Sequence, residues 1–412
     1  MKILLATYWP IPHVGGVWTY MTQLKEKLES YGHEVDLLGY DEDNISVHLY
    51  NKGRKLPREK VIPIINANLT EQNYPLMYRN FLVRWTEFQR YVFELSAAYF
   101  GLDKYDLIHT QDVLSTTAVS RIKPKHIPHV ATIHGSVAHE IRMQLESIHK
   151  SETSYMAREY YDDVEKKGAT SADITIVCNE WLRNIFLDEF NVPPEKLTVL
   201  HYGYDAENFI RRMRIKPALV KPADKKVILY TGRLAELKGL NYLLEALKNL
   251  KAIRSDWVCW IVGSGEQEAA LKNQAMALGL DQDVQFLGRR DDVPGLLTQS
   301  DIFVLPTLIE NQPLSVIEAQ IAGKAIIASN TGGIPEIIEH GVTGLLTPPK
   351  DVNMLTQNLN LLLDNEKYRK QLGSNARKWG LPHWSIEKST RNLLKIYYQA
   401  IDQKRLAGGR RG

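Results

Sequence analysis

The sequence predicts an α/β protein made of two successive doubly wound parallel sheets. Three observations carry that reading. Short apolar runs recur along the chain at spacings that leave room for crossover helices. Runs such as Ile302-Phe303-Val304-Leu305 are apolar without alternation, as strands buried on both faces are. The pattern also restarts after a Pro-spaced, Lys- and Arg-rich stretch at 211–226. A length of 412 residues predicts two or three domains, and 44% hydrophobic content is ample for their cores.

The first series opens with a strand at Lys2–Thr7, a turn around His13-Val14-Gly15-Gly16-Val17 and a helix over 18–31. Gly32-His33 ends that helix, and Glu34–Gly39 begins the next strand. Apolar runs at Asp106–Thr110, His129–Ile133, Asp173–Val177 and Leu197–Leu200 continue the series. Residues 74–101 form an aromatic-rich helical stretch interleaved with Arg79, Arg84 and Arg90. A basic aromatic helix can touch a membrane or an acceptor, but packing against the sheet is the commoner explanation. The second series has strands at Val227–Thr231, Trp257–Val262, Val284–Leu287, Ile302–Leu305, Ala325–Ala328 and Gly344–Leu346. Residues 384–402 have helical periodicity, and the tail 406–412 reads as disordered. The expected division is a domain over 1–205, a second over 206–383, a terminal helix over 384–404 and a tail from 405.

Net charge is +3, unevenly spread: 22 Lys and Arg against 27 Asp and Glu in residues 1–205, and 29 against 21 in residues 206–412. The second half is the better host for an anion. The basic run Arg211 to Lys226 reads as a solvated inter-domain segment, and nothing resembles a nucleic-acid module. The N-terminus is too short in apolar residues for a signal peptide, and no run reaches the roughly 18 apolar residues of a membrane span. A cytoplasmic chain is expected. Cys178 and Cys259 both fall in strand-like runs and are read as buried thiols.

Chemistry concentrates at strand ends. Glu310 and Glu318 flank Asn311-Gln312-Pro313-Leu314 after the Ile302–Leu305 strand, with Pro313 suited to open a helix over Leu314–Ile321. Were the whole segment helical they would stand on the order of 12 Å apart, too far to share a proton. They read as two hydroxyl clamps with room for a diphosphate between them. Arg233 and Lys238, in Gly232-Arg233-Leu234-Ala235-Glu236-Leu237-Lys238-Gly239 after the Val227–Thr231 strand, are two cations that can neutralise such a group. Gly15-Gly16 permits close approach of backbone to a ligand, although a tight turn explains it equally well. Gly263-Ser264-Gly265-Glu266 lacks the third glycine of a dinucleotide fingerprint. His134, at the end of the His129–Ile133 run, would alone be read as a structural histidine.

With these motifs the chain resembles, over nearly its whole length, the retaining nucleotide-sugar glycosyltransferases of family 4, which have the GT-B fold. The resemblance implies two Rossmann-like domains facing across a cleft, with the terminal helix crossing back to the first. It implies that Glu310 contacts the transferred sugar, that Glu318 holds the ribose, and that Arg233 and Lys238 stabilise the leaving diphosphate without a metal. It assigns Gly16 to the donor phosphate, Gly263 and Gly265 to the nucleotide side, Arg289 in Leu287-Gly288-Arg289 to the base by main chain, and His134 to the reacting sugar carbon. Thr331-Gly332-Gly333 is a structural turn in this scheme. The resemblance also assigns Asn311 and Leu314 to the donor; many members carry Phe-Gly where this chain has Gln312-Pro313, which keeps both glutamates in place and leaves the donor-sugar contacts over 311–314 open. Asp41-Glu42-Asp43 imitates the metal-binding motif of the other large glycosyltransferase fold and is read as a solvated loop. The expected reaction is hexosyl transfer from a UDP-sugar to a hydroxyl, by front-face substitution, with a covalent route through a carboxylate as rival. No cofactor or metal is expected. The acceptor, whether lipid, polysaccharide or small molecule, is not legible, and peripheral membrane contact is left open. Other readings of the same cleft are an epimerase, a phosphorylase and a non-catalytic sugar-nucleotide-binding subunit; a dehydrogenase fits least.

Overall fold

The hydrophobic runs form the strands expected of them, and the computed structural model describes residues 1–13, 15–146 and 149–409. Val14 of the first turn and residues 410–412 of the tail lie outside those residues. The chain divides into two units, Met1–His201 with Glu387–Gly412, and Tyr202–Ile386.

The first unit is built on strands β1 (Lys2–Pro10), β2 (Glu34–Tyr40), β3 (Ser46–Leu49), β4 (Arg54–Pro57), β5 (Leu107–Thr110), β6 (His129–Ile133), β7 (Ile174–Val177) and β8 (Leu197–Val199). Their order is β4-β3-β2-β1-β5-β6-β7-β8. The pairs from β2 through β1 to β8 are parallel, whereas β3 and β4 add as an antiparallel hairpin. That hairpin is invisible to an apolar-run search because half of β3 is polar: Ser46 is buried against Asp41, and His48 Nε2 lies 2.8 Å from the Ile11 carbonyl oxygen. Asp41 is not an idle loop carboxylate. It accepts from the amides of Ile45 and Ser46 and closes the β2–β3 turn.

The expected helix over 74–101 is two helices, Pro75–Tyr78 and Phe81–Phe100. Asn80 interrupts them by adopting extended backbone and capping the second, its side chain accepting from Val83 N at 3.2 Å. The terminal helix runs Ile386–Gly409, so residues 406–409 are helical where disorder was expected. From Glu387 onward it belongs to the first unit, where Leu393, Ile396, Tyr397 and Ala400 share a core with Ile3, Leu5, Met21 and Leu24. A buried relay fixes its rotation: His109 Nδ1 meets the Tyr397 hydroxyl at 2.7 Å, and His109 Nε2 meets Thr132 Oγ1 at 2.7 Å. Burial pushes the His109 imidazole down to about 3, so it stays neutral.

The second unit is a six-stranded parallel sheet of β9 (Lys226–Thr231), β10 (Trp257–Val262), β11 (Val284–Phe286), β12 (Ile302–Leu305), β13 (Ala325–Ser329) and β14 (Leu345–Thr347), ordered β11-β10-β9-β12-β13-β14. Its edges are set by Trp384, whose carbonyl accepts from Tyr204 N at 2.9 Å and whose indole donates to Gln320 Oε1 at 2.6 Å. Residues 202–205 and 384–386 therefore side with this unit, a few residues from the expected boundaries. The basic run is solvated in part, with Arg211, Arg212, Arg214 and Lys216 exposed, but its two ends are anchored. Ala206–Met213 is a helix that buries Phe209, and Lys221 and Lys226 pair with Asp301 and Asp256 at 2.5 and 2.8 Å. Cys178 and Cys259 are buried thiols with no disulfide, and among the described residues no helix is long and apolar enough to cross a membrane.

Tyr397→Phe removes one partner of the buried His109 and should lower unfolding free energy by about 1–3 kcal/mol. Urea unfolding measures it; an unchanged midpoint would mean the relay does not anchor the helix.

Candidate active site

In the second unit the strand order reverses between β9 and β12, whose connections leave the sheet in opposite directions. Such a reversal opens a crevice beyond the carboxyl ends of the two strands. The loop after β9 carries Arg233 and Lys238; the loop after β12 carries Glu310. Two devices hold the loops together. Leu308 N and Thr307 Oγ1 both donate to the Leu237 carbonyl, at 2.8 and 2.9 Å. Gly239, at φ 64°, passes so close to β12 that a Cβ there would stand 2.1 Å from the Pro306 carbonyl oxygen.

The consequence is a short ion pair. Lys238 Nζ lies 2.5 Å from Glu310 Oε2, each side chain 17% exposed. Glu310 Oε1 also accepts weakly from Asn311 N at 3.3 Å, and its carbonyl accepts from Gly333 N at 3.1 Å, so the Thr331-Gly332-Gly333 turn backs it. Arg233 is different: it is exposed, and among the described residues it makes no ion pair. Its main chain is fixed by the Tyr230 hydroxyl, which donates to the Arg233 carbonyl at 2.7 Å.

The helix Leu314–Ile321 starts at Pro313 as expected, but residues 310–313 are not helical, so the separation estimated for a continuous helix does not apply. Leu314 packs partly into the unit's core and Asn311 is buried. Gln312, the departure from the common motif, is also buried, with its Oε1 3.4 Å from Tyr202 N. Glu318 Oε1 accepts from the Tyr204 hydroxyl at 2.7 Å. Burial pushes its carboxyl up to about 7, with Tyr204 and the Arg212 charge pulling the other way. Nothing in the sequence pointed to Tyr204, which reaches Glu318 from a part of the chain read as the domain boundary.

Gly263 and Gly265 join the β10 loop to the β9 loop. A Cβ on Gly263, at φ 137°, would stand 1.8 Å from the Gly232 carbonyl oxygen, and one on Gly265 would stand 2.4 Å from that of Leu234. Close packing of two loops therefore explains both glycines before any ligand is invoked. Arg289 is exposed just past β11, and Gly288 accepts from Gly263 N at 2.9 Å.

The first unit has its own reversal, between β1 and β5. Gly16 opens the helix Gly16–Ser30, whose N-cap Gly15 supplies no side-chain cap. Asp112, after β5, accepts from Thr7 Oγ1 and Tyr8 N at 2.9 and 2.8 Å and caps the next helix through Ser115 N at 2.7 Å. His134 follows β6, its Nε2 lying 3.0 Å from Gln111 Oε1 with the Tyr20 ring edge-on at 5.0 Å. Burial pushes its imidazole down to about 3, so it is neutral at pH 7 and a poor proton acceptor. Its loop is held from below by the buried Glu165, which accepts from Ser136 Oγ and Ala138 N at 2.9 Å each.

Residues 14–208 match the family Glycosyltransferase Family 4, and residues 211–379 match Glycosyl transferases group 1. The chain belongs to the group 1 glycosyltransferases. This glycosyltransferase is 28% identical to an uncharacterized glycosyltransferase of Methanocaldococcus jannaschii, over 98% of this chain and 99% of the other. Sucrose-phosphate synthase from Thermosynechococcus elongatus has a similar structure, with TM-score 0.72 and 22% identity over 98% of this chain and 99% of that one. HepE of Anabaena, solved in complex with UDP and glucose, gives TM-score 0.68 and 19% identity over 97% of this chain and 100% of that one. Both likenesses establish the GT-B fold of this glycosyltransferase.

Glu318→Gln tests the electrostatics of the site. Glu318 holds its proton to about 7 when folded, above the ordinary carboxylate value, so its contribution to stability is full at low pH and is lost as pH rises through about 7. Glutamine cannot ionise. The variant should gain stability relative to the wild type, by up to about 3 kcal/mol, near pH 8.5 and little near pH 5. Urea midpoints at the two pH values measure this; an equal difference at both would refute it.

Proposed function

We propose that this glycosyltransferase transfers a hexosyl group from a nucleotide-diphospho-sugar, a UDP-hexose, to an acceptor hydroxyl with retention of configuration and without a metal. The single observation behind the proposal is the Lys238–Glu310 pair at the strand reversal, with exposed Arg233 at the mouth of the same loop. A diphosphate leaving group gains negative charge as its bond to the sugar breaks. In this reading Lys238 and Arg233 meet that charge and stabilise the transition state more than the ground state. These two cations supply the charge neutralisation that a divalent ion would otherwise provide. Lys238 would then exchange part of its contact with Glu310 for phosphate oxygen, leaving Glu310 to hold the sugar. Glu318 would accept from the ribose hydroxyls in place of Tyr204.

In the front-face route the bond from the anomeric carbon to the phosphate oxygen breaks and the bond to the acceptor oxygen forms on the same face. The acceptor proton passes to the leaving phosphate oxygen. His134 serves this reaction as a neutral hydrogen-bonding group that positions the sugar, which its lowered basicity favours over a role as general base. Gly16, Gly263, Gly265, Arg289, Asn311 and Leu314 complete the donor contacts in this scheme, Arg289 through its main chain. The UDP moiety is favoured by likeness to HepE, solved with UDP and glucose. An epimerase or phosphorylase acting in the same crevice would turn over donor without an alcohol acceptor.

Two measurements follow. Lys238→Met should lower kcat/KM by about 100- to 1000-fold, the scale of losing one transition-state donor, with the melting temperature little changed; wild-type turnover would remove Lys238 from the mechanism. Incubation with UDP-hexoses and a panel of sugar and lipid acceptors, followed by proton NMR, should yield the donor's own anomeric configuration. An inverted product contradicts the front-face route, and equal donor turnover without acceptor contradicts transferase activity.

A further inference from the structure

The helix Phe81–Phe100 has two unlike faces. One is buried, with Val83 joining Leu145 and Ala157 in a small core and Val92 and Phe93 wholly enclosed. The other, at the N-terminal end, shows Phe81 and Trp85, one helical turn apart and 64% and 49% exposed. Leu76, on the preceding helix Pro75–Tyr78, is 65% exposed. Large apolar side chains gathered at one end of a unit mark a contact surface more often than chance exposure does. Nor is this a floppy edge: the Asn80 amide donates to the Thr153 carbonyl at 2.9 Å, and the Tyr78 hydroxyl donates to the Leu69 carbonyl.

Charge identifies the occupant. Residues 52–86 carry seven Lys and Arg against two Asp and Glu, whereas the rest of residues 1–205 carries 15 against 25; Lys52 and Lys55 pair with Glu34 and Asp41 outside the segment, which leaves five against two. The basic island and the apolar patch thus occupy the same segment of an otherwise acidic half. Lys60, Arg79 and Arg84 are exposed and make no ion pair among the described residues; the Arg84 guanidinium lies over the Tyr78 ring. A second copy of the chain docking here by two-fold symmetry would bring these cations together and is disfavoured. We propose that this surface docks on an anionic lipid bilayer, with Phe81, Trp85 and Leu76 entering the headgroup boundary and Lys60, Arg79 and Arg84 meeting the lipid phosphates. The helix lies on the membrane and does not span it. On the proposed transferase reading, such docking would bring the enzyme to acceptors that reside in the membrane.

Co-sedimentation with vesicles tests this. The full chain should bind vesicles of phosphatidylcholine mixed with phosphatidylglycerol and not those of phosphatidylcholine alone, and release as salt rises toward about 1 M, where charges are screened within a few ångströms. The double variant Phe81→Glu, Trp85→Glu should lower the bound fraction about tenfold or more, as burial of two aromatic side chains is lost and two like charges are added. Arg84→Glu, at an exposed position, gives a second reading should the double variant fold poorly by circular dichroism. Absence of binding to the anionic vesicles overturns the proposal. Binding that both variants retain overturns it too, as does a dimer in sedimentation velocity that Phe81→Glu, Trp85→Glu converts to monomer.

Discussion

The reversal of strand order between β9 and β12 is the constraint on which the candidate site depends. It sends two loops away from neighbouring strands, and close main-chain approach together with the Thr307 hydroxyl then binds them to each other. Gly239 has no room for a Cβ beside Pro306, and the Leu237 carbonyl takes two donors from the opposite loop. With the backbones fixed, Lys238 and Glu310 meet at 2.5 Å although 72 residues separate them. A mostly buried ion pair contributes little net stability, because desolvation offsets the attraction. Its value is positional: it keeps a cation and a carboxylate ready, in a site where a ligand can replace one contact by another.

Burial sets the charge state of the remaining groups. Glu318, Glu165 and His134 are all displaced toward their neutral forms by desolvation, the carboxyls up to about 7 and the imidazole down to about 3. Glu165 answers to the main chain at the start of a helix, and so holds a loop; Glu318 answers to one phenol, and so can be given a new partner. A carboxyl that is uncomfortable when ionised gains from hydroxyl donors, so the proposed binding of ribose hydroxyls at Glu318 would be coupled to release of a proton.

Much of this was legible in the sequence where strands are buried on both faces. β6, β10 and β12 coincide with their apolar runs residue for residue, because the strand signal there is continuous hydrophobicity. The signal fails where polar groups are buried. β3 hides His48 and Ser46, and Asn80 breaks a helix whose aromatic content reads straight through it. Charge misled in another way: Lys221 and Lys226 count as a basic linker until their partners Asp301 and Asp256 are seen, distant in sequence and adjacent in the sheet. In the site, motif residues could be named but not their neighbours. Tyr204 and Gln111 carry no pattern, and Gln312, which departs from the family's motif, is occupied with the backbone of Tyr202.

The central claim is that Arg233, Lys238, Glu310 and Glu318 form one nucleotide-sugar site, and the structure of the protein with UDP bound tests it most directly. The account predicts the diphosphate against Arg233 and Lys238, and ribose hydroxyls on Glu318 where the Tyr204 hydroxyl now lies. UDP bound at other strand ends, with the Tyr204–Glu318 bond intact and Arg233 in solvent, would contradict it.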